Sequence, residues 1–405
     1  MLDSQSVHNS GKVSGGTVVG QVSGDMKNIG GVFEADEALL LNVKGDLAHQ
    51  STSKTTDVNL DGYQRRQTNL DRQALLHVKG ENGTLAVSAN RINLLGAAII
   101  NEGKGETQVS AKTDLNLTAL SVGVDEKMGG GNHYRNERKD DVEISRIKGG
   151  GDVRLAAKNI YSQGAELESE AKLTALAEND LVLNGAKVSH DFEEFHKTKS
   201  GSLAKVTKTR FDKQQSETQR GSQVSGKEIV LVAGHEVKGK GLQAIAENDL
   251  LIQAGGNVDI AADTNHFRNI HKETKKTSGV FTGGGGITFG SKSEKHHLES
   301  EGWTQSDTRS TLVTNMVQAA YHRVKGREQV SNPKLKALYR IALFREYSKV
   351  SLLSATAVDF YRGWTVGFKC PLTMIKGHFC FYKIVICFLN KTILCKMFCE
   401  LIHFI

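Results

Sequence analysis

Histidines, glycine runs and aspartates are the residues of this 405-residue chain whose chemistry calls for testing first. His266, His271, His296 and His297 offer imidazole nitrogens to a metal, but none stand at the i, i+4 spacing of a helical ligand pair, and no Cys or Glu-His pattern accompanies them. They read as solvated loop histidines. Thr282-Gly283-Gly284-Gly285-Gly286 has the glycine content of a phosphate loop, yet Ile287-Thr288-Phe289 follows where a Gly-Lys-Ser/Thr opening a helix is required. A hairpin turn or hinge is the reading there, as at Gly129-Gly130-Gly131 and Gly149-Gly150-Gly151. Asp152, Asp180 and Asp249 would suit calcium only inside a recurring Gly-Gly-x-Gly-x-Asp pattern, which the chain lacks, so they read as turn-capping side chains. No catalytic residue, metal or cofactor is expected, and the chain reads as a non-enzyme.

Arg65-Arg66, Arg135-Asn136-Glu137-Arg138-Lys139 and Lys272-Glu273-Thr274-Lys275-Lys276 are basic, but acids interleave them. Nucleic acid calls for an unbroken basic face. The formal charge of +7 is also concentrated at one end: residues 311–405 hold 14 Lys+Arg against 4 Asp+Glu, leaving 38 against 41 in residues 1–310. The body is thus near −3, and no nucleic-acid partner is expected. All five cysteines (Cys370, Cys380, Cys387, Cys395, Cys399), both prolines and 14 of the 25 aromatics fall in the same tail. The body therefore has no disulfide, thiolate zinc site or thiol nucleophile.

The elements that must carry these residues are set by repetition. Ala111-Lys112-Thr113-Asp114-Leu115, Ala177-Glu178-Asn179-Asp180-Leu181 and Ala246-Glu247-Asn248-Asp249-Leu250 restate one another at intervals of 66 and 69 residues, the mark of a stacked-repeat architecture. Inside each long repeat runs a shorter rhythm of about 20 residues. Alternating pieces such as Leu181-Val182-Leu183, Val258-Asp259-Ile260, Arg91-Ile92-Asn93-Leu94 and Glu228-Ile229-Val230-Leu231-Val232 are bounded by Gly or Asn, a strand-turn pattern. This is one turn of a parallel β-helix, each coil adding about 4.8 Å. With 42 glycines, 2 prolines and 6% aromatics, the composition suits tight coils of short strands.

Polar excursions at about 49–71, 125–141, 191–222 and 263–309 interrupt the rungs. Each is too polar for a narrow coil and reads as a hairpin or loop projecting from the shaft. The candidate contact residues are those on the last two arms: Phe192, Phe195, Lys205, Lys208, Arg210, Phe211, His266, Phe267, Phe281, Phe289 and Trp303.

Gly151-Asp152-Val153-Arg154-Leu155, the Ala-Glu-Asn-Asp-Leu copies and Gly286-Ile287-Thr288-Phe289-Gly290-Ser291-Lys292 resemble the haemagglutinin repeats of filamentous-haemagglutinin-like exoproteins, including contact-dependent growth inhibition effectors of Gram-negative bacteria. The resemblance covers roughly residues 30–310 and rests on repeated pattern. It implies a right-handed β-helical fibre, export by an outer-membrane two-partner-secretion transporter, residence at the cell surface, and adhesion to a receptor or glycan on host or neighbouring cells. In some members it implies delivery of a C-terminal toxin. The expected fold is thus all-β: residues 1–30 as an N-terminal stub of the repeat region, 31–310 as the β-helix with projecting polar hairpins, and 311–405 as an unrelated tail.

That tail departs from the family. The Gly-rich pattern stops at Thr311, and Lys391-Thr392-Ile393-Leu394-Cys395-Lys396-Met397-Phe398-Cys399 reads like an out-of-frame stretch. Residues 332–347 have the pattern of a basic amphipathic helix. The apolar run from Phe379 is broken by Lys383, Lys391, Lys396 and Glu400, too often for a stable membrane span. Met1-Leu2-Asp3-Ser4-Gln5 has neither the basic start nor the apolar core of a signal peptide. The expectation is a product that stays in the cytoplasm or is a piece of a longer, exported one.

Overall fold

In the computed structural model the described residues are 1–304, except 203, 284 and 285, and 311–313. The tail from 314 onward, including the expected helix over 332–347 and the apolar run 379–405, lies outside them. Among the described residues every regular element is a strand, and no helix is long and apolar enough to cross a membrane.

The chain winds as a parallel β-helix with three faces. Along each strand side chains alternate between inside and outside, as in the intermediate-buried alternation of Asp180–Asn184. The inward residues stack into columns. Met26, Leu47, Ile92, Leu115, Ile160, Leu181 and Val237 form one. Leu41, Val87, Val109, Leu155, Ala175 and Leu231 form a second, and Phe33, Leu76, Ile99, Ile147, Leu167 and Val224 a third. All of these are buried and belong to one apolar core. At roughly 1.5–3 kcal/mol for each fully buried large aliphatic side chain, this continuous column is what makes the coil cohere.

Offsets along the Met26 column run 21, 45, 23, 45, 21 and 56 residues. Short and long coils therefore alternate. The difference arises at one corner, between the Met26 and Phe33 faces. In alternate coils that corner is turned by Gly30, Gly96, Gly164 and Gly241, with φ of 60°, 55°, 67° and 62°, a region that costs a residue with a Cβ. In the coils between, the chain leaves the shaft there as an antiparallel hairpin. The four hairpins are Thr52–Leu60 with Tyr63–Arg72, Leu120–Gly130 with His133–Glu143, Ala186–Ser200 with Ala204–Arg220, and Asn265–Gly283 with Gly286–Thr304.

These glycines, spaced 66, 68 and 77 residues apart, carry the long period. The Ala-x-x-Asp-Leu copies follow it only in part. Asp114 and Asp180 both open strands of the Met26 face, whereas Asp249 pairs with Glu228 on the Leu41 face, one corner away. Similar local chemistry suits more than one corner of a three-sided coil, so the third copy marks a different position.

Where a hairpin departs, the coil loses main-chain continuity, and buried serines make up the missing bonds. Ser51 Oγ donates to Gly96 O at 2.7 Å and accepts from Ala74 N at 3.0 Å. Ser145 Oγ donates to Thr118 O at 2.7 Å. Ser222 Oγ donates to Asn184 O at 2.7 Å and meets Ser162 Oγ at 2.8 Å. Another buried polar chain lies close by on the Met26 face: Asn9 Nδ2 donates to Asn28 Oδ1 (2.8 Å), Asn28 Nδ2 donates to His49 Nδ1 (2.9 Å), and His49 Nε2 donates to Ala98 O (3.0 Å). His49 is thus inside the shaft, although the first polar excursion is read from that residue. Burial pushes its pKa down to about 4 and keeps the ring neutral.

Candidate functional site

The four hairpins do not project separately. They pair edge to edge into one eight-stranded antiparallel sheet, in which the second strand of each hairpin bonds to the first strand of the next. The reason is a match of two lengths. A hairpin supplies two strands, about 9.6 Å of sheet at about 4.8 Å per strand, and two coils of shaft rise by the same amount. One hairpin on every second coil therefore keeps the sheet in step with the shaft. The corner glycines allow the fit at the roots: a Cβ on Gly96 would lie 2.7 Å from Leu120 Cβ and 3.0 Å from Glu143 O, and one on Gly164 would lie 2.8 Å from Arg220 O.

Register assigns the candidate contact residues to two faces. Phe195, Lys205, Phe211, His266, Phe289 and Trp303 share one face; Phe192, Lys208, Arg210, Phe267 and Phe281 share the other. On the first face a cross-strand row runs Tyr134, Phe195, Phe211, Lys272, each directly opposite the next. Tyr134 stacks on Phe195 with centroids 5.4 Å apart and planes at 24°, and Lys272 Nζ lies 6.0 Å from the Phe211 ring centroid. Tyr134 Oη donates to Glu193 at 3.0 Å; burial, then that carboxylate, holds its phenol above the usual range. Nearer the root, His266 packs against Trp303 at 5.2 Å and contacts Glu301 at 2.9 Å.

On the second face Arg135 sits 5.1 Å from the centroid of Phe192. Glu137 is bonded by Lys139, Arg135 and His190 at 2.6, 2.8 and 3.0 Å, and its pKa falls to about 2, the Lys139 and Arg135 hydrogen bonds leading. Burial opposes ionisation of Asp212, but His271 and Arg210 outweigh it and hold its pKa low. Phe267 packs under Gly302, where a Cβ would lie 2.5 Å from its ring. Phe281 O accepts from Thr288 at 3.3 Å. Lys205 stands opposite Ser278, and Lys208 between Thr198 and Lys275.

Phe195 and Phe211 are therefore brought together, while Phe289 near the tip, 82% exposed, and Trp303 near the root, 67% exposed, stay apart on the outermost strand. Among the described residues, Thr52–Leu60 is one of the two edges of the sheet and that strand is the other. Lys292, Glu294, Lys295 and Glu299 along it discourage indiscriminate edge pairing. Tyr134 and His133 join the site from the second hairpin, which no local motif marks, while His196 and Lys272 lie on the same arms as the candidate residues.

A model of the family described as Hemagglutinin repeat matches residues 204–322, which take in the second strand of the third hairpin and the whole of the fourth. Over parts of its length the chain is also similar to CdiA proteins. It is 36% identical over 159 residues to the Deoxyribonuclease CdiA of Dickeya dadantii, covering 39% of this chain and 5% of that protein. It is 34% identical over 151 residues to the tRNA nuclease CdiA of Yersinia mollaretii, covering 36% and 5%. A longer match, 24% identical over 365 residues, covers 74% of this chain and 12% of the Escherichia coli Toxin CdiA. The segment thus spans a small fraction of the length of these relatives. No solved structure matches it.

Proposed function

We propose that this chain is a non-enzymatic contact module of a secreted two-partner-secretion exoprotein, in which the β-helical shaft is a stiff spacer and the hairpin sheet attaches to a receptor or glycan on host or neighbouring bacterial cells. The observation that carries this reading is the continuous sheet standing off the shaft, with aromatic and cationic side chains in register across separate repeats. Aromatic faces flanked by charged hydrogen-bonding groups are what contact surfaces use to gain affinity. Export would require the outer-membrane transporter acting on a full-length protein, which places this segment at the cell surface.

The test is binding of the purified chain to bacterial and host cells, compared with a Phe195→Ala, Phe211→Ala variant whose strand-dominated circular dichroism is unchanged. Binding that falls on the order of tenfold or more, as for loss of a central aromatic anchor, supports the reading; undiminished binding overturns it.

The names of the relatives favour a second reading, in which the segment is the delivery portion of a contact-dependent inhibition toxin. Expression of residues 311–405 inside bacteria separates the two. Growth arrest supports delivery, and normal growth with a harmless peptide supports adhesion alone.

A further inference from the structure

His133 and His196 stand directly opposite each other on adjacent antiparallel strands, one from the second hairpin and one from the third. Their Nδ1 atoms are 2.7 Å apart, with ring centroids at 4.1 Å and planes at 57°. At that separation one Nδ1 carries a proton and the other accepts it, so two ligand atoms of the same type converge on one exposed point. We propose that these two Nδ1 atoms bind a divalent transition-metal ion of the zinc class, the shared proton passing to Nε2 of the donor ring so that both imidazoles ligate as neutral rings, and that the ion clamps the second hairpin to the third.

Two imidazole nitrogens at about 2.1 Å from a tetrahedral ion lie about 3.4 Å apart. Small side-chain rotations supply the extra separation, because His133 is the first strand residue after the turn at Gly131 and its ring is exposed. Water fills the remaining coordination positions. The charges around the pair are nearly balanced: Arg135 opposes Glu194 on the same face, and Arg210, opposite His196, is tied to Asp212 at 2.6 Å. Imidazole pairs of this kind suit zinc, copper or nickel better than calcium or magnesium, which take oxygen ligands.

The clamp would act on the part of the sheet the shaft does not already fix. The roots are held by the coils, whereas farther out successive repeats meet through strand pairing and side-chain contacts such as Tyr134 on Phe195. A second group of ligand atoms, Asp180, His235 and Glu236 on the shaft, supplies the control: its His235 is already bonded to Asp180 at 2.7 Å and its Glu236 to Lys238 at 2.6 Å.

The experiment is calorimetric titration of Zn²⁺ alone into the full chain at about neutral pH. Wild type, His133→Ala, His196→Ala and His235→Ala are compared, with hydrogen exchange of residues 130–136 and 193–199 as a second readout. Binding that is present in wild type and His235→Ala, weakened on the order of tenfold or more in either tip variant, and accompanied by slower exchange at both tips supports the clamp. Absence of zinc binding, binding unchanged in the tip variants, or binding lost only in His235→Ala overturns it.

Discussion

His49 gives the sharpest test of the shaft. It is fully buried, its Nδ1 accepts from Asn28 and its Nε2 donates to Ala98 O, so the neutral ring fills its hydrogen-bonding capacity and a second proton has no acceptor to meet. Its pKa falls from the ordinary 6.5 to about 4, burial being the main cause. Between those values the unfolded chain carries a proton on His49 that the folded chain does not. Lowering the pH through this window therefore favours unfolding: the His49 contribution is fully present above about pH 6.5 and is lost as the pH falls to about 4. At about 1.4 kcal/mol per pH unit, the 2.5-unit gap corresponds to roughly 3 kcal/mol.

The perturbation is His49→Leu, which installs the residue type found at Leu94, the next position of the same column. At about neutral pH the variant is less stable than wild type, because Ala98 O and one Asn28 N–H lose their partner, at roughly 1–3 kcal/mol for each unsatisfied buried group. On acidification the wild type loses the His49 contribution and the variant does not, so their difference shrinks by roughly 3 kcal/mol between about pH 7 and pH 4. Urea unfolding of both chains across that range measures it, and taking the difference removes the background of the other titrating groups. Parallel stability curves would refute the reasoning, since they would mean that the ring is not held neutral by its surroundings.

Gly96→Ala should destabilise the chain by about 1–2 kcal/mol for the left-handed backbone alone, and by more because the new Cβ would meet Leu120 Cβ at 2.7 Å; urea midpoints of variant and wild type measure the loss, and the second hairpin should show faster hydrogen exchange at its root. Ser51→Ala strips a donor from Gly96 O and an acceptor from Ala74 N, with an expected cost of about 1–3 kcal/mol, read by the same midpoint and by exchange in residues 74–78.

The shaft was legible because the apolar residues of strands such as Val153–Ala157 and Asp180–Asn184 alternate with polar ones. A wrong register would turn Val153 and Leu155 to solvent, so burial fixes the pairing. The corner glycines were legible as turn signals, but their role as the carriers of the long period was not, because glycine is common here and the Ala-x-x-Asp-Leu copies offered a competing repeat. The sequence groups His49 with the polar segment that follows it, since a buried histidine and a solvated one look alike without their partners.

The hairpins show the opposite case. Strands such as Ala204–Arg220 carry polar residues on both faces, so their own pattern specifies register only weakly. Sequence alone determined that a stiff coil of alternating strands exists and that polar arms leave it at intervals. That the arms join into one sheet, and that Tyr134 meets Phe195 or His133 meets His196, was decided only by the tertiary structure, because pairing between arms is imposed by the equal rise of two coils and two strands and by the glycine corners at which the arms are rooted.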